Sequence, residues 1–278
     1  MKKYFPVLVT MLVTISFLTF CTPLQNQPMP TVDFSPPADY TTTIFDVDVP
    51  SQASVERLGD ERPNIIFIMT DDQPYQSVEY MPTLKEELLP NSISFQQGIV
   101  TTPLCGPSRA SILTGLYAHN HEVYTNRMPM GGAVKFDDTA TIATWMQTAG
   151  YETGFFGKYI NDYDAITPAG YVPPGWSEWD AFFEHNLTEE KLGYHYFFDF
   201  TLSENGEIVE YPKKKYNYGT DIITQKAANF INQNSSEPFF MVVSYFAPHS
   251  PYIRAPRHDD TFRPSKGWDF ELPKSPAF

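Results

Sequence analysis

Cys105 opens the run Cys105-Gly106-Pro107-Ser108-Arg109 and is one of only two cysteines in 278 residues. The other, Cys21, closes an N-terminal apolar run, so Cys105 keeps no internal disulfide partner once that run is cut off or acylated. A lone thiol in a chain that leaves the cytosol calls for an explanation, and burial as a small hydrophobe is the plainest one. Arg109 stands four residues on, about one helical turn, and projects from the same face. Its planar fork suits a tetrahedral oxyanion. Asp71 and Asp72 are adjacent acids at the end of an apolar run. Such a pair serves equally as a turn former or, at the mouth of a buried strand, as a site that needs compensating positive charge. Carboxylates favour Ca2+ or Mg2+ over zinc, and no Cys/His cluster with zinc spacing occurs in the sequence. Lys158 by itself reads as a snorkelling side chain, and His249, between Pro248 and Ser250, as a loop residue.

These residues follow a pattern of alternating strands and helices. "NIIFIMT" (64–70) is a continuous β-branched apolar run, the mark of a strand buried on both faces. "MPTLKEELL" (81–89) is expected to be helical, with Pro82 near its first turn, and "SISFQQGIV" (92–100) to be a second strand. A helix is expected from about Pro107 to a stop at Gly115, and another over "TIATWMQTAG" (141–150). "YETGFFGKY" (151–159) predicts a third strand. The segment 194–211 predicts a hairpin that turns at Asn205-Gly206. "TDIITQKAANFINQN" (220–234) predicts an amphipathic helix capped by Thr220 or Asp221, and "EPFFMVVSYFAPH" (237–249) a last buried strand. The expectation is an α/β core with a mostly parallel sheet flanked by helices. Ligands gather beyond the carboxyl ends of such strands. Asp71-Asp72, Lys158 and His249 all fall there, with Cys105 at the start of a helix.

The run C-G-P-S-R-A-S-I-L-T-G resembles the signature of the formylglycine-dependent sulfatases, whose fold is that of the alkaline-phosphatase-like superfamily. The resemblance implies that Cys105 is oxidised during export to Cα-formylglycine, an aldehyde that hydrates to a geminal diol. A formylglycine-generating or anaerobic sulfatase-maturing enzyme would carry out that step. It also implies that Asp71, Asp72 and the modified Cys105 hold a divalent metal, Ca2+ rather than Mg2+, which supplies positive charge to an anionic ester. One diol hydroxyl then attacks sulfur and the alcohol leaves. The other hydroxyl loses its proton, the aldehyde re-forms and sulfate is expelled. "RPNIIFIMTDDQ" is similar to the family's opening strand with its metal-binding acids, "GFFGKY" to the segment whose lysine contacts sulfate (Lys158), and "APHSPY" to the segment whose histidine contacts sulfate or protonates the leaving oxygen (His249). Many members carry a histidine two residues after that lysine; here Ile160 stands there, followed by Asn161, which is assigned to substrate binding. "GKYIND", "HNHEVYTN", "VPPGWSEW" and "TLSENGEIVEY" are similar to N-acetylglucosamine-6-sulfatases and heparan 6-O-endosulfatases, over about Arg62 to Arg263.

The remaining readings bound the setting. Lys2 and Lys3 precede the apolar run, so residues 1–21 are expected to be an export signal, either secretory or, through "FLTFC", a lipoprotein signal that lipidates Cys21. Residues 22–61 are expected to be a Pro/Ser/Thr-rich linker, and 62–278 the N-terminal part of the catalytic domain. The protein would be periplasmic, a cell-surface lipoprotein or secreted, touching membrane only through a lipid anchor. Against 33 acidic residues stand 19 basic ones, net −14, which argues against a nucleic-acid partner. That balance also disfavours gripping a polyanion lengthwise and favours chain-end action. The one basic run, Lys213-Lys214-Lys215, reads as a solvated loop before a helix. His119 and His121 suit capping and support, and His185, His195 and His258 surface or structural roles. The family's later Asp-Asn or Asp-His metal pair and its second sulfate lysine have no counterpart in this sequence, which reads as C-terminally truncated, so the expected sulfuric ester hydrolase activity is that of the parent protein and this fragment alone is expected to be inactive. The expected substrate is a sulfated carbohydrate, 6-O-sulfated N-acetylglucosamine of a glycosaminoglycan or related glycan. The alternatives are a phosphonate monoester or phosphodiester hydrolase on the same scaffold, and a non-catalytic glycan-binding lipoprotein.

Overall fold

The computed structural model describes residues 62–258, apart from 96, 169 and 184–194. The expected export signal with Cys21, the linker, His185 and everything after 258 lie outside the described residues. Among the described residues no helix is long and apolar enough to cross a membrane.

Among the described residues six strands form one sheet: β1 (Ile65–Met69), β2 (Glu152–Gly157), β3 (Glu178–Phe182), β4 (Phe200–Glu204), β5 (Glu207–Tyr211) and β6 (Phe239–Ser244), in the spatial order β1-β6-β2-β3-β4-β5. The first four of that order run parallel, and β4 and β5 add an antiparallel hairpin at one edge. Among the described residues five α-helical segments accompany them: α1 (Cys105–Thr114), α2 (Ala118–His121), α3 (Ile142–Thr148), α4 (Tyr163–Ile166) and α5 (Gly219–Gln233). The α/β class with a mostly parallel sheet flanked by helices is as expected.

Period-two alternation explains the layering. Along β6, Phe240 and Val242 face a cluster with Ala110 and Leu113 of α1, Ala143 of α3, and Phe155 and Trp179 of the sheet. Phe239, Met241 and Val243 face the other way, onto Ile223, Ala227 and Phe230 of α5. Each fully buried Phe among them contributes on the order of 1.5–3 kcal/mol, which is why the continuous apolar run at 239–243 specifies a central strand. The hairpin turns through Asn205 and Gly206, both at positive φ (49° and 91°), as a two-residue turn between right-twisted strands requires.

Several expectations need correction. Residues 92–100 form no strand where they are described. Ile93, Phe95 and Ile99 are 83%, 84% and 89% exposed, and a β-type sequence without a partner edge has nothing to pair with. "MPTLKEELL" is helical only in short irregular pieces, a π-type turn at Leu84–Leu88 and a 3-10 turn at Leu89–Asn91, because no face of it is buried. α1 begins at Cys105 rather than Pro107, with Leu104 at its N-cap, since proline is tolerated in a first turn. α5 is capped by Tyr218, and Thr220 and Asp221 lie inside its first turn. β3 has no counterpart among the expected strands, and β1, expected to be buried on both faces, is the end strand of the described sheet with Ile66 and Ile68 46% and 61% exposed.

Candidate active site

Four segments reach the same end of the parallel strands. Asp71 and Asp72 follow β1. Lys158 follows β2 directly, where Gly157 adopts a φ of 112° and a Cβ would stand 2.1 Å from the Ser244 carbonyl oxygen, so the two strand ends approach only because a glycine is there. Ser244 ends β6 and leads to His249, while α1 presents Cys105 at its first turn and Arg109 one turn later.

Their side chains meet. Lys158 Nζ lies 2.5 Å from Asp71 Oδ2 and Arg109 Nη2 3.4 Å from the same oxygen. Cys105 Sγ donates to the other oxygen, Asp71 Oδ1, at 3.4 Å. His249 Nε2 stands 3.4 Å from Asp72 Oδ2. Asp71, Arg109 and Lys158 are 6%, 4% and 5% exposed, a depth at which charges persist only when paired. Arg109 Nη1 donates to the Lys158 carbonyl and to Ser244 Oγ, both at 2.5 Å, and Ser244 Oγ in turn donates to the Lys158 carbonyl at 2.6 Å. The fork of Arg109 is thus largely committed to Asp71 and to the ends of β2 and β6. Lys158 Nζ also lies 5.0 Å from the Phe246 ring centroid and 5.8 Å from that of Tyr196, a cation–π cradle.

The charges set the protonation states. Burial alone would push the Asp71 carboxyl up, but Lys158 and Arg109 outweigh it and hold it below the usual carboxylate range. Burial lowers the Arg109 guanidinium against the pull of Asp71. Burial pushes the Cys105 thiol up, with Asp71 adding to the rise and Lys158 opposing it. As an unmodified thiol, Cys105 is therefore a poor nucleophile at neutral pH.

The ligating atoms of Asp71, Cys105 and His249 lie within 4.8 Å of one another, and Asp72 adjoins through His249. Two carboxylates, with an oxygen replacing sulfur at position 105, fit a hard divalent cation; the thiol does not improve that fit. Asn161 is placed differently. Its carbonyl accepts from the Ala133 N–H at 2.8 Å, and its Oδ1 is buried without a hydrogen-bond partner. His121 Nε2 bonds Ser111 Oγ at 3.0 Å and its Nδ1 accepts from the Val123 N–H, so it ties α1 to α2. Sequence reading missed four contributors. Ser244, whose only signal is a hydroxyl closing an apolar strand, bolts Arg109 to two strand ends. Asn126 Oδ1 accepts from the Gly106 N–H at 2.7 Å, satisfying a free donor of the α1 first turn. Phe246 and Tyr196 cradle Lys158.

Comparison with known proteins gives these facts a setting. The family model described as Sulfatase matches residues 63–269. Human N-acetylglucosamine-6-sulfatase is 35% identical over 216 residues, 74% of this chain and 38% of that protein. The extracellular sulfatase SULF-1 homolog of Drosophila melanogaster is 34% identical over 217 residues, 73% of this chain and 18% of that one. A solved structure of a protein in complex with its substrate D-glucosamine-2-N,6-O-disulfate superposes with a TM-score of 0.53 at 32% identity, covering 71% of this chain and 37% of its own. The chain thus spans between about a fifth and two fifths of the length of these relatives.

Proposed function

Given that the chain belongs to the sulfatase family, we propose that the protein hydrolyses a sulfate ester on a sugar, and that the sugar is a 6-O-sulfated N-acetylglucosamine unit of a glycosaminoglycan or related glycan. One observation carries this reading: Cys105, Asp71, Arg109, Lys158 and His249, drawn from four separate segments, surround one point beyond the strand ends. The relatives that act on N-acetylglucosamine 6-sulfate support the sugar. The extracellular relative, with the sequence of residues 1–21, supports export.

In this reading position 105 would carry formylglycine, installed by a maturation enzyme, and the group would supply a hydroxyl nucleophile for the sulfate ester. Asp71, Asp72 and that residue would hold a Ca2+ ion, which would supply positive charge beside the ester. The chain's own residues do the rest. Lys158, held by its aromatic cradle, binds a sulfate oxygen in a water-poor site, where such a contact is worth more than in water. Arg109 contributes buried positive charge and fixes the orientation of Asp71. His249, beside Asp72, holds the proton that the leaving sugar oxygen takes up.

Mass spectrometry of the peptide that contains residue 105, after co-expression with a maturation enzyme, tests the first step. The expected result is the aldehyde, with turnover of N-acetylglucosamine 6-sulfate above that of an aryl phosphonate ester. An active preparation whose residue 105 is still a thiol would sink the mechanism. Preference for the phosphonate would change the ester class and keep the site.

A further inference from the structure

While position 105 is still a thiol, the reaction centre holds a different ligand set. The Cys105 sulfur, an Asp71 oxygen and a His249 ring nitrogen lie within 4.8 Å of one another, and among the described residues no other three His, Cys, Asp or Glu side chains are so grouped. Cys105 Sγ stands 3.4 Å from Asp71 Oδ1, and His249 Nε2 3.4 Å from Asp72 Oδ2. Around a tetrahedral zinc ion, with Zn–S of about 2.3 Å and Zn–N or Zn–O of about 2.0–2.1 Å, neighbouring ligand atoms stand about 3.3–3.6 Å apart. Both separations fall in that range.

The hydrogen bonds aim the ligand atoms. His249 Nδ1 lies 2.7 Å from the Ser250 carbonyl oxygen. A carbonyl can only accept, so Nδ1 carries the proton of the neutral ring and Nε2 keeps its lone pair. Metal-bound histidines are oriented in this way, through a carbonyl on the other nitrogen. A lone pair 3.4 Å from a carboxylate oxygen needs a proton or a cation between them. Lys158 and Arg109 both contact Asp71 Oδ2, which leaves Oδ1 for an ion. The His249 and Asp72 side chains are 28% and 60% exposed, so an ion can enter from solvent.

We propose that the folded chain, before Cys105 is oxidised, binds Zn2+ through Cys105, His249, Asp71 and Asp72, and that this ion shields the thiol from modification. The proposal rests on the sulfatase reading above only in taking the thiol as an immature state. Binding forms a zinc–sulfur bond and releases the thiol proton to solvent, since a coordinating thiol is deprotonated outright; nothing is oxidised or reduced. Sulfur and imidazole select zinc over Ca2+, which takes oxygen ligands. Once oxygen replaces sulfur at position 105, the preference reverses. The same two acids thus serve either ion, and the chemistry of one side chain decides which.

The test uses the full chain with Cys21→Ser, so that Cys105 is its one thiol, free of any histidine tag and expressed without a maturation enzyme. Zn2+ is expected to raise its melting temperature, and Ca2+ at equal concentration to leave it unchanged. Co2+, as a probe of the same site, should give the near-ultraviolet charge-transfer band of a cobalt–thiolate bond. Removing a ligand's hydrogen-bond partner already costs about 10–100-fold in metal affinity, so Cys105→Ser and His249→Ala should each weaken Zn2+ by about 100-fold or more. With Zn2+ bound, iodoacetamide should label Cys105 about tenfold more slowly or less, read by mass spectrometry of its peptide. Absence of the cobalt–thiolate band, or unchanged Zn2+ affinity in Cys105→Ser, overturns the proposal. The band is read with Cys105 intact, so a variant that fails to fold leaves the test standing. None of these readouts needs turnover, so their failure leaves the sulfatase reading in place. Zinc binding in a chain that a maturation enzyme never oxidises would sink that mechanism and keep this site.

Discussion

Two buried ionic clusters occupy this sheet, with opposite stoichiometry. At the carboxyl ends of β1, β2 and β6, one carboxylate, Asp71, lies under two cations, Lys158 and Arg109. On the face under α5, one cation, Lys226, lies under two carboxylates, 2.8 Å from Asp180 and 2.7 Å from Glu204. The second pair of acids is directly opposed across β3 and β4, a repulsive arrangement without a cation between them. Glu204 also accepts from Tyr211 Oη at 2.6 Å. Burial, against the pull of Lys226, pushes the Asp180 carboxyl up to about 6, so it takes up a proton only as pH falls through that value. The first cluster therefore keeps positive charge facing an opening, while the second closes on itself. Burial and ion pairing are common to both, so neither marks a reactive site; the sign left over and the position at the strand ends do.

The largest effect that follows falls on the first cluster alone. Cys105→Ala should lower sulfate-ester turnover by about 10⁴-fold, about 5.5 kcal/mol of barrier, with little loss of stability, since the thiol makes one weak hydrogen bond. Steady-state kinetics beside thermal unfolding check this. A pair of substitutions then separates the clusters. Lys226→Met strands the buried Asp180 carboxylate and should cost about 3–5 kcal/mol of stability, whereas Arg109→Met leaves Asp71 paired with Lys158 and should cost less. Only Arg109→Met should also slow turnover per folded molecule, by about 10²–10³-fold; Lys226→Met should leave it within about twofold. Equal slowing in both would erase the distinction.

Titration separates them next. Asp180 stands above its unfolded value of 3.8, so the stability it contributes is complete below 3.8 and is lost as pH rises through about 6. Asp71 stands below 3.8, so its contribution is present above that value and is lost as pH falls through its folded one. Denaturant unfolding from pH 7 to 5 should therefore show a gain, on the order of 1 kcal/mol, that Asp180→Asn abolishes. The acid-side loss should survive that substitution. If Asp180→Asn leaves the gain intact, Asp180 is not its source.

The strands that carry the reaction centre were legible because β1, β2 and β6 are apolar runs, and their ends announce themselves where Asp71, Lys158 and Ser244 interrupt them. β3 escaped notice because Glu178 and Asp180 break its apolar pattern, and Asp180 is tolerable only through Lys226, forty-six residues later in the sequence. The opposite error occurred at 92–100. Its composition is β-like, yet a strand is a property of two edges, and the described residues offer it none. Asn126 and Ser244 were hidden for a similar reason, since an acceptor for the Gly106 N–H and a bolt for Arg109 exist only once distant segments meet. The Lys213–Lys215 run, read as a solvated loop before a helix, is exposed and precedes α5, because a run of like charge has nothing to gain from burial.

Asn126 supplies the smallest effect and the finest probe of the first cluster. The Gly106 N–H belongs to the helix turn that begins at Cys105, and Asn126 Oδ1, 2.7 Å away, is its acceptor. Removing that acceptor in Asn126→Ala should cost about 1 kcal/mol, seen as a lower denaturation midpoint with an unchanged slope. Freed from Asn126, the helix terminus can shift relative to Asp71, so turnover should fall by more than the stability loss accounts for, because a displacement near 1 Å at a reacting group costs about 10²-fold. Asn126→Asp keeps an acceptor and adds negative charge at a helix N-terminus, so it should recover stability. The same charge opposes the positive excess beside Asp71, so turnover should stay low. Recovery of both together would mean that the sign of the charge around Cys105 does not matter, and the contrast between the two clusters would lose its meaning.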